Sequence, residues 1–280
     1  MRFLKMNGCG NDFVIFDARA YGGLALTPQQ ARAIADRREG VGCDQVIAIE
    51  RSLRGDAFMR IWNADGSEVS ACGNAARCVA HALLRESGAP AHVRIETAAG
   101  LLLAHAAGEH LTVDMGSPLL KWEEIPVARP TDTIHLEYAA PAPFTGLLGS
   151  PGGVNMGNPH AVFFVEDAMA APVAEAGPLI ERDAFFPDRV NVGFAEVRGP
   201  DRIRLRVWER GAGLTKACGT GACAAVVAAH RAGLTGRSVA VVLDGGELHI
   251  AWRAGDDRVL MTGPVEVERE GELSLAGGAG

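Results

Sequence analysis

The feature that most limits how this chain folds is that it contains itself twice. Arg60-Ile61-Trp62 precedes Ala71-Cys72-Gly73 by the spacing with which Arg206-Val207-Trp208 precedes Ala217-Cys218-Gly219, a shift of 146 residues. Two further pairs obey the shift to within one residue: Gly10-Asn11-Asp12-Phe13-Val14 with Gly157-Asn158-Pro159-His160-Ala161, and Asp44-Gln45-Val46 with Val190-Asn191-Val192. Each cysteine is followed by an Ala-rich stretch, a glycine (Gly88, Gly233) and two strand candidates. One such match is easily accidental; three at a shared offset are not. The chain is therefore expected to form two similar α/β halves. Packed about a pseudo-two-fold axis, they would set Cys72 and Cys218 facing each other across a cleft.

The elements follow from local pattern. Phe3 to Met6 and Phe13 to Asp17 are strand candidates around a tight turn at Gly8-Cys9-Gly10-Asn11-Asp12. Thr27-Pro28 is a cap followed by a first-turn proline, and predicts a helix through Arg37. Val46 to Glu50 and Ala57 to Trp62 follow as strands. A helix starts at Cys72 and runs to about Glu86, and Val93 to Thr97, Leu101 to Ala106 and Leu111 to Met115 make a meander. From Pro118 to Pro151 six prolines punctuate the chain, so irregular strands are expected there and a domain boundary near Ser117. Further on, Ala161 to Val165, Val190 to Glu196 and Ile203 to Glu209 are strand candidates. Helices are expected over Ala170 to Ile180 and Gly221 to Arg231. Val239 to Leu243, Glu247 to Ala251 and Val259 to Met261 are the last strands, and the tail Ala276 to Gly280 is expected to be disordered.

Composition narrows the class. A net charge of −7 gives no reason to expect nucleic acid. The start, Met-Arg-Phe-Leu-Lys-Met-Asn-Gly, lacks a signal peptide's apolar core, and no apolar run approaches the roughly 20 residues of a membrane helix. A cytoplasmic protein with six reduced cysteines is expected. Neither CxxC nor zinc-like Cys/His spacing occurs, so no metal is expected. Lys5, Lys121 and Lys216 are the only lysines that could form a Schiff base with pyridoxal phosphate, so candidates for that cofactor are few.

A cysteine at a helix start feels the positive end of the helix dipole, which favours thiolate. A small buried cysteine in an Ala-rich helix more often only packs. The repeat shifts the balance, because two opposed thiols can invert a carbon acid: one thiolate removes a proton while the other thiol delivers one to the opposite face. A disulfide, or a single nucleophile with His160 as its base, is the competing use. The flanking residues suit α-proton removal from an amino acid. Gly73-Asn74 and Gly219-Thr220 bring helix N–H groups to a carboxylate. The amides Asn11, Gln45, Asn63, Asn158 and Asn191, with Glu209 and Arg210, can hold carboxylate and ammonium groups. Each asparagine alone is more often a turn residue. The shared offset is what lifts Asn11/Asn158 and Gln45/Asn191 above that.

With these residues in view, the sequence closely resembles the diaminopimelate epimerases. The matching motifs are Gly10-Asn11-Asp12-Phe13, Gly40-Val41-Gly42-Cys43-Asp44-Gln45, Asn63-Ala64-Asp65-Gly66-Ser67-Glu68, Cys72-Gly73-Asn74 with Arg77-Cys78, Gly157-Asn158-Pro159-His160, Asn191-Val192-Gly193-Phe194, Glu209-Arg210-Gly211-Ala212-Gly213 and Ala217-Cys218-Gly219-Thr220-Gly221-Ala222-Cys223. Ala75 stands where the family pattern usually carries glycine, a change that is harmless if φ is negative there. The resemblance implies two halves, each a mixed, largely antiparallel sheet or barrel around a central helix. It implies a division into 1–117 with 264–280, and 118–263, the last strand returning to the first half. It implies cofactor-independent interconversion of LL- and meso-diaminopimelate, with Cys72 and Cys218 as the acid/base thiols and His160 and Glu209 tuning them. Asn11, Asn63, Asn158, Asn191 and Arg210 would hold substrate, Gln45 and Glu209 would line the site, and the Gly73-Asn74 and Gly219-Thr220 helix starts would bind the reacting carboxylate. A homodimer is common among relatives. The alternatives are a proline or hydroxyproline racemase of the same architecture and a non-catalytic binding scaffold.

Overall fold

The computed structural model describes residues 1–70, 72–86, 88 and 90–274. The expected disorder of Ala276 to Gly280 lies outside the described residues. In chain order the elements are β1 (Arg2–Asn7), β2 (Asp12–Asp17), α1 (Pro28–Ala35), β3 (Gln45–Glu50), β4 (Ala57–Asn63), β5 (Glu68–Val69), α2 (Gly73–Leu84), β6 (His92–Thr97), β7 (Gly100–Ala107) and β8 (His110–Asp114). They continue with β9 (Gly152–Asn155), β10 (Pro159–Phe164), α3 (Val173–Glu181), β11 (Asn191–Gly199), β12 (Arg202–Glu209), β13 (Gly213–Thr215), α4 (Gly219–Arg231), β14 (Ser238–Leu243), β15 (Gly246–Trp252), β16 (Val259–Gly263) and β17 (Glu266–Glu272). The chain divides into two compact units: Met1–Val113 together with the chain from Gly263, and Asp114–Thr262.

The two units repeat one topology. In the first, β2 runs parallel to β3, β3 antiparallel to β4, β4 parallel to β6, and β6 antiparallel to β7. In the second, β10, β11, β12, β14 and β15 do the same. The registers repeat with the sequence shift: Val46 opposes Trp62 as Val192 opposes Trp208, Ala57 opposes Ile95 as Ile203 opposes Val241, and Val93 opposes Ala104 as Val239 opposes Ile250. A one-residue slip would turn every side chain to the other face of its sheet. The 146-residue offset in sequence is therefore an offset in backbone pairing too. The first unit also has β17, antiparallel to β1.

Each unit has an apolar helix against its sheet. Residues Gly73 to Ala80 of α2 are buried, as are Gly219 and Gly221 to Ala229 of α4. A helix apolar on every face must be covered on every face. α4 is packed by β9, β10, β11, β12, β14 and β15, and α2 by β6 and β7. Short alanine side chains let the strands approach closely, while Val226 and Val227 supply about 2 kcal/mol each of burial. Gly233, at φ 73°, ends the chain's run past α4 in the left-handed conformation that glycine tolerates.

Several expected boundaries move for identifiable reasons. α1 stops at Ala35 rather than Arg37, because the Asp36 carboxylate accepts from the N–H groups of Arg38 and Glu39 and so favours a turn. Its start has the anticipated Thr27 cap, completed by Gln30 into a capping box. α2 ends at Leu84, not near Glu86. α3 starts at Val173 rather than Ala170, since Asp167 takes the N–H groups of Met169 and Ala170. The strands expected between Pro118 and Pro151 are not formed among the described residues. Thr145 and Leu148 make an isolated bridge there and Leu119 one to Asn155. Proline lacks the ladder N–H, and this segment instead contributes Ile125, Leu136, Tyr138 and Phe144 to the second unit's core as irregular chain.

Ala75 sits within α2, is fully buried, and is not among the residues with positive φ. Its methyl suits an ordinary helical position. Ala75→Gly is expected to lower stability by about 1 kcal/mol, from backbone entropy and lost packing. A chemical denaturation midpoint equal to or above the parent's would contradict this.

Candidate active site: a cysteine at a helix start in each unit

In the first unit, Cys72 is the N-cap of α2, extended at φ −148°, with Gly73 and Asn74 as the first helical residues. Its thiol is partly exposed and lies 3.9 Å from Asn11 Oδ1, to which it can donate. Asn11 is brought there by the β1–β2 turn. Gly8 in that turn lies so close to α2 that a Cβ would stand 3.1 Å from the Asn74 carbonyl oxygen and 3.3 Å from Cys78 Sγ. The turn is closed by Gly8 N–H donating to Asn11 O and Gly10 N–H to the Asn7 side chain. Gln45 and Asn63 are directly opposed on β3 and β4, and Gln45 Nε2 donates to Asn63 Oδ1 at 2.9 Å. The other end of Gln45, Oε1, is a buried acceptor with no hydrogen-bond partner among the described residues. Asn63 Nδ2 donates to Ser67.

In the second unit, Cys218 is the N-cap of α4, with Gly219 and Thr220 as the first helical residues. Its Sγ accepts from Gly221 N–H at 3.4 Å and lies 3.6 Å from Thr220 Oγ1. It also hydrogen-bonds Glu209. Burial, then the negative charge of Glu209, pushes the Cys218 thiol well above its ordinary value, and the Thr220 and Gly221 hydrogen bonds offset only part of this. Burial likewise raises the Glu209 carboxyl, against hydrogen bonds from Thr215 and Cys218 that lower it. Thiol and carboxyl thus compete for protons in one pocket. Nearby, the fully buried His160 meets Asn158 Oδ1 through Nε2 at 3.0 Å. Burial, and then the charge of Arg210, lowers its pKa to about 3, so the ring is neutral at physiological pH. Asn191 is buried with both ends occupied: Nδ2 donates to Pro159 O and Oδ1 accepts from Arg210 N–H. Its amide holds the Arg210 backbone, and Arg210 Nη1 donates to Asp188 O from an exposed position.

The sequence-predicted residues therefore gather around their own helix starts. Cys72, Asn11 and Asn74 come together in the first unit beside the Gln45–Asn63 pair. Cys218, Thr220 and Glu209 come together in the second, beside the linked set His160, Asn158, Asn191 and Arg210. Sequence reasoning missed the groups behind them. Thr215 donates to Glu209. Asp44, with Arg37, Asp12 and Lys5, stands behind Asn11. Glu181 holds Trp208 and Gly211 on either side of Glu209-Arg210. Asp44 had a visible signal, since it directly precedes Gln45 in a repeated motif. Its counterpart is Val190, so the offset gave it no weight.

A chain built of two like α/β units, each starting its buried helix with Cys-Gly, is a duplicated α/β fold. A hydroxyproline epimerase from Agrobacterium vitis, solved with trans-4-hydroxy-L-proline, shares that fold at TM-score 0.67 and 19% identity, over 99% of this chain and 93% of its own. Sequence comparison goes further. Proteins described as diaminopimelate epimerases from Phenylobacterium zucineum (strain HLK1) and Acidiphilium cryptum (strain JF-5) are 59% and 55% identical to it. They cover 97% and 98% of this chain and 97% and 96% of their own. The sequence profile of the same family matches residues 3–121 and 153–268, and the chain belongs to the diaminopimelate epimerase family.

Proposed function

We propose that this protein is an isomerase that interconverts LL- and meso-2,6-diaminopimelate through two cysteine acid/base groups. The observation that carries the reading is the 59% identity to a named diaminopimelate epimerase along nearly the whole of both chains. The chemistry of the two half-sites supports it. One of Cys72 and Cys218, as thiolate, takes the α-proton. The other, as thiol, supplies a proton to the opposite face. Glu209, hydrogen-bonded to Cys218 and raised by burial, receives or returns the Cys218 proton between turnovers. Neutral His160 holds Asn158 and is the second tuner of thiol ionisation.

The carboxylate on the reacting carbon gathers charge as the proton leaves. The first N–H groups of a helix have no intrahelical partners, and the Gly73-Asn74 and Gly219-Thr220 starts offer theirs to that charge. Gln45 Oε1, a buried acceptor, suits a substrate ammonium group. Asn11, Asn63, Asn158, Asn191, Glu209 and Arg210 complete the substrate set, Asn191 by fixing the Arg210 backbone. Among the described residues no helix is long and apolar enough to cross a membrane. A mechanism that needs two reduced thiols favours the cytoplasm, and a homodimer is proposed on the family resemblance alone.

The test is solvent exchange. Incubated in heavy water with pure LL- or pure meso-diaminopimelate, the protein is expected to form the other isomer with deuterium at the inverted α-carbon. Proline and hydroxyproline should gain none. Inversion without solvent label, or no inversion of diaminopimelate, would overturn the reading.

A further inference from the structure

The amide of Asn11 can face Cys72 with either end, and the two ends act oppositely. Its oxygen accepts from a thiol S–H and disfavours thiolate; its NH2 donates to sulfur and favours thiolate. The choice is made behind it. Asn11 Nδ2 donates to Asp44 Oδ2 at 2.8 Å, and an ionised carboxylate is acceptor-only, so the oxygen is left toward Cys72 Sγ. Asp44 is fixed in turn: Arg37 Nη2 donates to its Oδ1 at 2.7 Å, and Asp12 N–H to its Oδ2 at 3.1 Å. Arg37 also makes two bonds to Asp12, at 2.9 Å each, and the buried Lys5 ammonium joins Asp12 and Gly42 O. Burial alone would raise the Asp12 carboxyl, but Arg37 and Lys5 outweigh it and hold it below the usual range. Asp12 thus meets Arg37 and Lys5 as a carboxylate, and the two cations pin the Asp12–Asp44 corner in place. The second unit has no counterpart: the repeat places Val190 where Asp44 stands, and His160 meets Asn158 instead.

We propose that Asp44 is a positioning residue for Cys72, locking the Asn11 amide with its oxygen to the sulfur so that Cys72 is held as the proton-carrying thiol. In turnover this rests on the epimerase reading above, but the thiol itself can be examined without substrate. Other ionisable groups around it are Arg77 and Cys78 on α2. Cys78 is kept neutral by burial, which pushes it up to about 12, with Arg77 opposing and Cys72 and Glu268 adding to the rise.

The experiment is the pH dependence of iodoacetamide alkylation at Cys72, followed by peptide mass spectrometry, in the full chain. In Asp44→Asn, the Asn11 amide is freed to turn its NH2 to the sulfur, and the alkylation midpoint is expected to fall by about one pH unit. In an Asn11→Ala background, Asp44→Asn should add no further shift. An unchanged midpoint in Asp44→Asn, or a shift that persists without Asn11, would overturn the proposal. Should Asp44→Asn fail to fold, the exposed Arg37→Gln loosens the same carboxylate: a smaller shift of the same sign supports the proposal, and none overturns it. For diaminopimelate turnover, Asp44→Asn should lower kcat more than it changes KM. A thiol shift without any epimerase activity would remove the function and leave the positioning role standing.

Discussion

Cys72→Ala and Cys218→Ala are each expected to abolish interconversion of LL- and meso-diaminopimelate, with a loss in kcat/KM of about 10²–10⁴-fold or more. Alanine keeps the helix start, since an N-cap cysteine contributes little as a cap: Cys72 accepts no capping hydrogen bond, and Cys218 accepts only one weak bond from Gly221. What is lost is the proton carrier. Inversion needs a base on one face and an acid on the other, so either deletion stops it, and the double variant is no worse than either single one. Each single variant still holds one thiol. As thiolate it can remove the α-proton it faces, exchange that proton with solvent, and return a solvent-derived one to the same face. Exchange without inversion is therefore expected to survive for one stereoisomer in Cys72→Ala and for the other in Cys218→Ala, read as deuterium gain in recovered substrate. The half-sites are unequal, which gives a further sign. Glu209 stands beside Cys218 alone, so Glu209→Gln should depress the exchange that remains in Cys72→Ala and leave that of Cys218→Ala little changed. Full turnover by either single variant would end the two-thiol mechanism.

What was legible in the sequence was what the duplication wrote twice. The shared offset of Trp62 and Trp208 fixed a cross-strand register, because each tryptophan opposes the valine that follows the repeated amide, Val46 or Val192. The helix starts at Cys72 and Cys218 were legible through the Ala-rich runs that no strand would carry. What was written once was harder. The stretch from Pro118 to Pro151 packs Tyr138 against Phe163, Phe185 and Phe186, contacts far apart in sequence that no local period announces. β5 and β13 are two- and three-residue strands, shorter than the alternation that identifies one. The electrostatic groups were hidden for another reason. Asp44 and Glu181 touch neither thiol, and their use depends on which donors the fold brings to them. Symmetry thus found the residues that meet the sulfur, and hid those that make the two sulfurs different.

Glu181→Leu is expected to destabilise the protein by about 2–3 kcal/mol and to lower kcat/KM together with it. Glu181 ends α3 and is 2% exposed. Its Oε2 accepts from Trp208 Nε1 at 2.7 Å, its Oε1 from Gly211 N–H at 3.2 Å, and Arg189 Nη1 lies 3.8 Å away. Trp208 and Gly211 bracket Glu209-Arg210, so one carboxylate ties both ends of the turn that serves Cys218. Leucine matches the side chain's size and takes the acceptor away from the half-buried Trp208 Nε1–H and the exposed Gly211 N–H. The indole is the less free of the two to turn toward water. A Cβ on Gly177 would stand 2.5 Å from Trp208 Cγ, so α3 already presses the indole into place. Glu181→Gln keeps one acceptor oxygen and turns its NH2 toward the other donor, so its loss should be about 1–2 kcal/mol, between parent and leucine. The order is read from urea midpoints. The same order should hold for the Cys218-dependent exchange that remains in Cys72→Ala, because a displaced turn moves Glu209 from the thiol. A leucine variant as stable as the parent would show that Trp208 and Gly211 find other acceptors. A destabilised variant with undiminished Cys218 exchange would show that Glu209 keeps its place without the Glu181 tie.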